Sequence, residues 1–201
     1  MGDTWVTDIR HFPGNVAGEP IPPDVHPAAF RMGEFMGRIV AAATSTFWAG
    51  ARETALRCRR RPGRQRCPGH LRVLRDDERE QVHWHCSQCD DNGLISGWHG
   101  CVWDLTTSYQ PPVVHDDSAT VYVTDDDYAL LQSALPSMDR EAERAVMAAE
   151  NTEKGVRLML SQAARDDLLG ALSFEANNED NRVRQRRLDK LADLLEHPRR
   201  R

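Results

Sequence analysis

From Pro27 the apolar positions Met32, Phe35, Met36, Ile39, Val40 and Ala43 recur at helical spacing, and Pro27 suits a first turn, so an amphipathic helix is predicted there. Ahead of it, Trp5 and Ile9 are followed by Pro13, Gly14, Gly18, Pro20, Pro22 and Pro23, which reads as an N-terminal arm. Phe47 and Trp48 are expected as core anchors behind the helix. Between 53 and 105 the pattern shortens to strand-like runs at 54–58, 71–74, 81–84 and 93–98, separated by Gly, Pro and Asp turns. Asp76-Asp77 reads as the tip of a hairpin.

Beyond the turn or linker Tyr109-Gln110-Pro111-Pro112, a strand is predicted at 119–123, and Thr124 caps a helix whose first turn carries Asp125, Asp126 and Asp127. A second helix follows Asp139, a strand runs over 155–160, and Ser161 caps a helix with Ala164, Leu168 and Leu172 on one face. Val183, Leu188, Leu191, Ala192 and Leu195 are again at helical spacing. Asn177-Asn178 either separates these last two helices or lies inside one long helix. Arg199, Arg200 and Arg201 read as a frayed tail. The expected class is α+β: a central zinc-ribbon hairpin module (53–108) between an N-terminal arm and helix (1–52) and a C-terminal strand-and-helix region (113–201), in one body or in separate domains.

Of the 201 residues 40% are hydrophobic and 28% charged, which allows a modest core and excludes disorder throughout. No run of about 18 apolar residues is present and the N-terminus lacks a signal-peptide pattern, so a cytoplasmic, non-membrane protein is expected. In a reducing compartment its five cysteines point to metal ligation or free thiols more than to disulfides.

The cysteines sit at the ends of the strand-like runs. Cys86-Ser87-Gln88-Cys89 has the two-residue gap that lets both sulfurs face one ion, with Gly93 suited to a tight return. The other half is less regular. Cys58 and Cys67 flank Pro62-Gly63, and Cys67-Pro68-Gly69-His70 is a compact alternative pair, so His70 competes with Cys58 for the fourth position. Four thiolates around Zn²⁺ leave a formal charge of −2, and the neighbouring arginines are placed to offset it, which favours Cys58, Cys67, Cys86 and Cys89 around one structural ion.

Other readings of these residues are weaker. A redox dithiol at Cys86 and Cys89 lacks a thioredoxin-like context. Cys101 reads as a small apolar strand residue. Alternation puts His83 and His85 on the strand face opposite Trp84, and no His-Glu-x-x-His or His-x-Glu pattern accompanies them or His99. The strings Cys-Arg-Arg-Arg-Pro-Gly-Arg at 58–64, Cys-Pro-Gly at 67–69 and the stretch from Trp84 to Trp98 resemble a bacterial zinc-ribbon family with no assigned activity, as do 5–12 and 175–182. The resemblance implies the four cysteines as its metal ligands.

The net charge of −5 gives no whole-chain case for nucleic-acid binding, but residues 57–66 hold six arginines and no acid. Arg59, Arg60, Arg61, Arg64 and Arg66 are therefore candidate phosphate contacts, with Trp84 or Trp98 as a stacking surface. The opposing reading is that these arginines balance the thiolates and pair with acidic stretches such as Asp116-Asp117 and 125–127. A protein partner is the alternative, met through Leu188, Leu191 and Leu195. An enzyme is not expected: no phosphate loop, nucleophile elbow or dinucleotide fingerprint is present, and Asp104 with His99 defines no reaction.

Overall fold

The computed structural model describes residues 4–46, 50–106 and 118–197. Phe47, Trp48, the 109–112 turn, Asp116-Asp117 and the Arg199–Arg201 tail lie outside the described residues. The architecture is α+β, with five α-helices and two sheets among the described residues, and it divides into two compact units, Met1–Tyr109 and Gln110–Arg201. No helix among the described residues is long and apolar enough to cross a membrane.

The first unit is built on a five-stranded sheet. Its strands are β1 (Thr4–Asp8), β2 (Arg52–Arg57), β3 (His70–Asp76), β4 (Gln81–Cys86) and β5 (Asn92–Ser96), in the order β1-β5-β4-β3-β2. The expected hairpin is β3–β4, antiparallel in register from Leu71 opposite Cys86 to Asp76 opposite Gln81. It forms the middle of a wider sheet rather than a ribbon standing alone.

Residues 4–8, expected as an arm, are instead β1, the edge strand, running parallel to β5 from Thr4 beside Asn92 to Asp8 beside Ser96. Five residues, three of them β-branched (Thr4, Val6 and Thr7), are too short to show a period, and the strand exists only because β5 offers it an edge. Asp8 then caps a short 3-10 turn (Ile9–His11) by accepting from the Arg10 backbone N–H at 3.0 Å. The Arg10 guanidinium on the same carboxyl holds the Asp8 pKa down to about 2.

Helix α1 (Pro27–Thr44) starts with the His26 ring accepting from the Ala28 N–H and with Pro27 in the first turn. Met36, Ile39, Val40 and Ala43 are buried, and the helix packs on β2, β3 and β4. On β3 and β4 the buried positions Leu71, Val73, Val82 and Trp84 alternate with more exposed ones. β5 stops at Ser96, short of Trp98, because Gly97 has φ +67° and turns the chain. Cys101 is buried as expected of a small apolar residue, but in a loop: it forms an isolated bridge with Val16.

The second unit has a three-stranded antiparallel sheet in the order β6-β8-β7, from β6 (Ala119–Val123), β7 (Glu150–Thr152) and β8 (Gly155–Leu160). Its helices are α2 (Asp125–Ser133), α3 (Arg140–Met147), α4 (Gln162–Asn177) and α5 (Arg182–Glu196). Thr124, Asp139, Ser161 and Asn181 each cap the following helix through a side-chain oxygen. Asn178 ends α4 and Asn181 begins α5, so the last two helices are separate. Leu188, Leu191 and Leu195, expected as a stripe for a protein partner, are at most 2% exposed. They fill the core of their own unit, which removes them as a docking surface.

Candidate metal centre

Cys58 leaves β2, Cys67 precedes β3, Cys86 ends β4 and Cys89 lies in the turn toward β5, so the hairpin carries one end of the chain back to the other. The four sulfurs lie within 4.8 Å of one another. Cys58 to Cys89 and Cys67 to Cys86 are each 3.7 Å apart. A tetrahedral ion with metal–sulfur bonds of about 2.3 Å requires sulfurs about 3.8 Å apart, whereas a disulfide requires about 2.05 Å. The residues present therefore fit a four-coordinate metal ion. His70, at the start of β3, is not in the group; its N–H donates to Ser87 Oγ and its carbonyl accepts from Ser87 N–H, which stitches the two cysteine-bearing loops together.

The loops that present the sulfurs are held by backbone hydrogen bonds. Cys58 N–H donates to Gly69, Cys67 N–H to Arg60, and Cys86 N–H to Asp91. In each half an N–H two residues on is aimed at a sulfur, Arg60 at Cys58 (3.4 Å) and Gln88 at Cys86 (3.3 Å). Gly69 passes directly over the cluster: a Cβ there would stand 2.5 Å from the Cys86 sulfur. Cys58, Cys67 and Cys86 are buried and Cys89 is half-buried.

Burial pushes the Cys58 and Cys89 thiols above their ordinary values. Burial acts the same way on Cys86, but the Gln88 and Cys89 N–H groups outweigh it and hold that thiol below its ordinary value. The thiolate form is thus favoured at Cys86 and disfavoured at Cys58 and Cys89. A bound cation would supply the charge that keeps the others ionised.

A buried acid, Asp91, 5% exposed, stands against the cluster. Its Oδ2 lies 3.7 Å from the Cys58 sulfur, and its Oδ1 accepts from Trp5 Nε1 at 3.3 Å and faces Arg60 Nε at 3.7 Å. Neither Trp5 nor Asp91 stands out from sequence as part of the centre. Trp5 reaches it because β1 registers Trp5 beside Gly93, where a Cβ would lie 2.8 Å from the Trp5 carbonyl oxygen and from Trp84 Nε1. Gly93 serves this close approach rather than a tight return.

The arginines divide. Arg59 donates to the Arg31 carbonyl at 3.3 Å and lies 4.9 Å over the Phe35 ring, tying the loop to α1. Arg60 faces Asp91. Arg61, Arg64 and Arg66 are exposed and have no ion-pair partner among the described residues. Arg61 and Arg66 lie on either side of a 3-10 turn (Pro62–Arg64) in which Gly63 and Arg64 both have positive φ, 61° and 69°. Arg60, Arg61 and Pro62 line a groove with Cys89 and Asp90. Within the second unit, Asp127 of the acidic run pairs with Arg187 at 3.3 Å.

The remaining candidates fall away from the centre. Trp84 and Trp98 are 3% and 0% exposed, so the stacking surface expected of them is buried in the core. His83 and His85 do lie on the face opposite Trp84, across from Leu74 and Arg72. His99 stacks on Trp98 at 3.6 Å. Asp104 accepts from the Gly100 and Thr106 N–H groups and so holds a loop. Compared with known proteins, the chain matches no family model, no curated protein and no solved structure.

Proposed function

We infer that the first unit is a zinc-stabilised, non-enzymatic binding module whose arginine-bearing knuckle contacts nucleic-acid phosphates. Four thiolates at tetrahedral spacing suit zinc and leave no coordination position for water or substrate, which supports a structural rather than a catalytic ion. The observation that carries the binding reading is the turn from Arg61 to Arg66. It presents three exposed arginines without an acidic partner among the described residues, on a loop anchored at both ends by metal-ligating cysteines. Such contacts read charge and not sequence, and they weaken steeply with salt.

The test is gel retardation of labelled DNA and RNA at low salt by the wild type and by Arg61→Ala/Arg64→Ala/Arg66→Ala. Binding that falls with added salt, and is lost or weakened at least tenfold in the triple variant, is expected. Equal mobility with both proteins overturns the reading. Elemental analysis of the purified protein should return one zinc per chain, and iron in its place would overturn the assignment of the metal.

A further inference from the structure

Phosphate contacts alone hold a single strand and a duplex alike. The surroundings of Asp91 add something that distinguishes them. Trp5 is 45% exposed, and its one polar atom is turned inward to a buried carboxylate. The same oxygen of that carboxylate faces Arg60, which lines the groove beside Arg61. An indole fixed at its N–H, on a residue paired at its backbone with Gly93 and 45% exposed, is a held apolar plate that shares its carboxylate partner with Arg60. Among the described indoles, Trp84 and Trp98 are buried and Trp103 is half-buried, whereas Trp5 is exposed.

We propose that Trp5 is a base-stacking platform and that the module's partner is single-stranded nucleic acid, with an unpaired base on the Trp5 ring and the flanking phosphates on Arg61, Arg64 and Arg66. This rests on the phosphate-binding reading of the same loop. Charge complementarity selects a polyanion, and the exposed ring selects unpaired bases, because a duplex buries its base faces in its own stack. Asp91 is the positioning residue: it holds the ring in place and fixes Arg60 beside it.

The test is fluorescence anisotropy at low salt with labelled oligothymidylate and oligouridylate of about twelve nucleotides, and with a duplex of equal length. The proteins are wild type, Trp5→Ala, Trp5→Phe and the triple arginine variant, each checked for metal content. Wild type is expected to bind both single strands more tightly than the duplex. Trp5→Ala should lose about tenfold for the single strands with the duplex unchanged, whereas Trp5→Phe keeps the ring and most of the affinity. The triple variant should weaken on all three probes.

The stacking proposal is overturned if Trp5→Ala changes nothing, weakens all probes equally, or is matched in its loss by Trp5→Phe, since the last result credits the bond to Asp91 and not the ring. If the triple variant is weakened in those cases, the phosphate reading survives. Failure of the wild type to bind any probe removes both. A preference for one of the two single strands assigns the partner as DNA or RNA.

Discussion

Arg60 ties the knuckle together in three ways: its N–H points at the Cys58 sulfur, its carbonyl accepts from Cys67, and its guanidinium faces Asp91. The cysteine cluster is thus a set of largely buried groups whose charges must balance, and its members are not interchangeable. Cys58 and His70 make the point. Both lie near the second half-site in sequence, but only the Cys58 sulfur is within tetrahedral reach of the others. Cys58→Ala should therefore drop the metal content from one ion per chain to well below one at equilibrium with a chelating buffer, while His70→Ala keeps it. Elemental analysis after dialysis checks both, and metal loss in His70→Ala alone would reverse the assignment. Removing a buried ligand also leaves three thiols without their cation, so the Cys58 variant should be the less stable of the two.

At the scale of elements, each piece of secondary structure answers either to its own periodicity or to a neighbour. α5 belongs to the first kind: Leu188, Leu191 and Leu195 repeat at helical spacing and are buried, but Val183, expected in the same run, is 70% exposed, five residues before Leu188 and so off their face. Leu191→Ala should cost roughly 2–5 kcal/mol in chemical denaturation, and Val183→Ala no more than about 0.5 kcal/mol. Equal costs would mean that the stripe is not the buried face. β1 belongs to the second kind, since its place depends on pairing with β5. What the pattern showed well was the α-helices with long apolar stripes or clear caps, and the β3–β4 hairpin. It missed β1 because parallel pairing between residues 4–8 and 92–96 leaves no local trace. It overran β5 because apolar character continues to Trp98 while the backbone turns at Gly97.

At the scale of the molecule, the two units carry separate cores, one of them stapled by the cysteine cluster. A strong chelator should then act on one unit only. Circular dichroism and thermal melting after metal removal are expected to show early loss of the sheet-rich signal of Met1–Tyr109, with the helical signal of Gln110–Arg201 melting at its original temperature. A single transition shifted as a whole would contradict independent cores. Several features were already determined by the amino-acid sequence alone: the α+β class, the cysteine set with its one competitor, the arginine-rich loop and the helix caps. These depend on residues close together in the chain, where spacing and side-chain chemistry act directly. The tertiary structure decided the rest: it left His70 outside the cysteine cluster, buried Trp84, Trp98 and the α5 leucines, and brought Trp5 and Asp91 to that cluster. Those outcomes turn on strand register and on which face of each element is covered, and both are set by contacts between residues tens of positions apart.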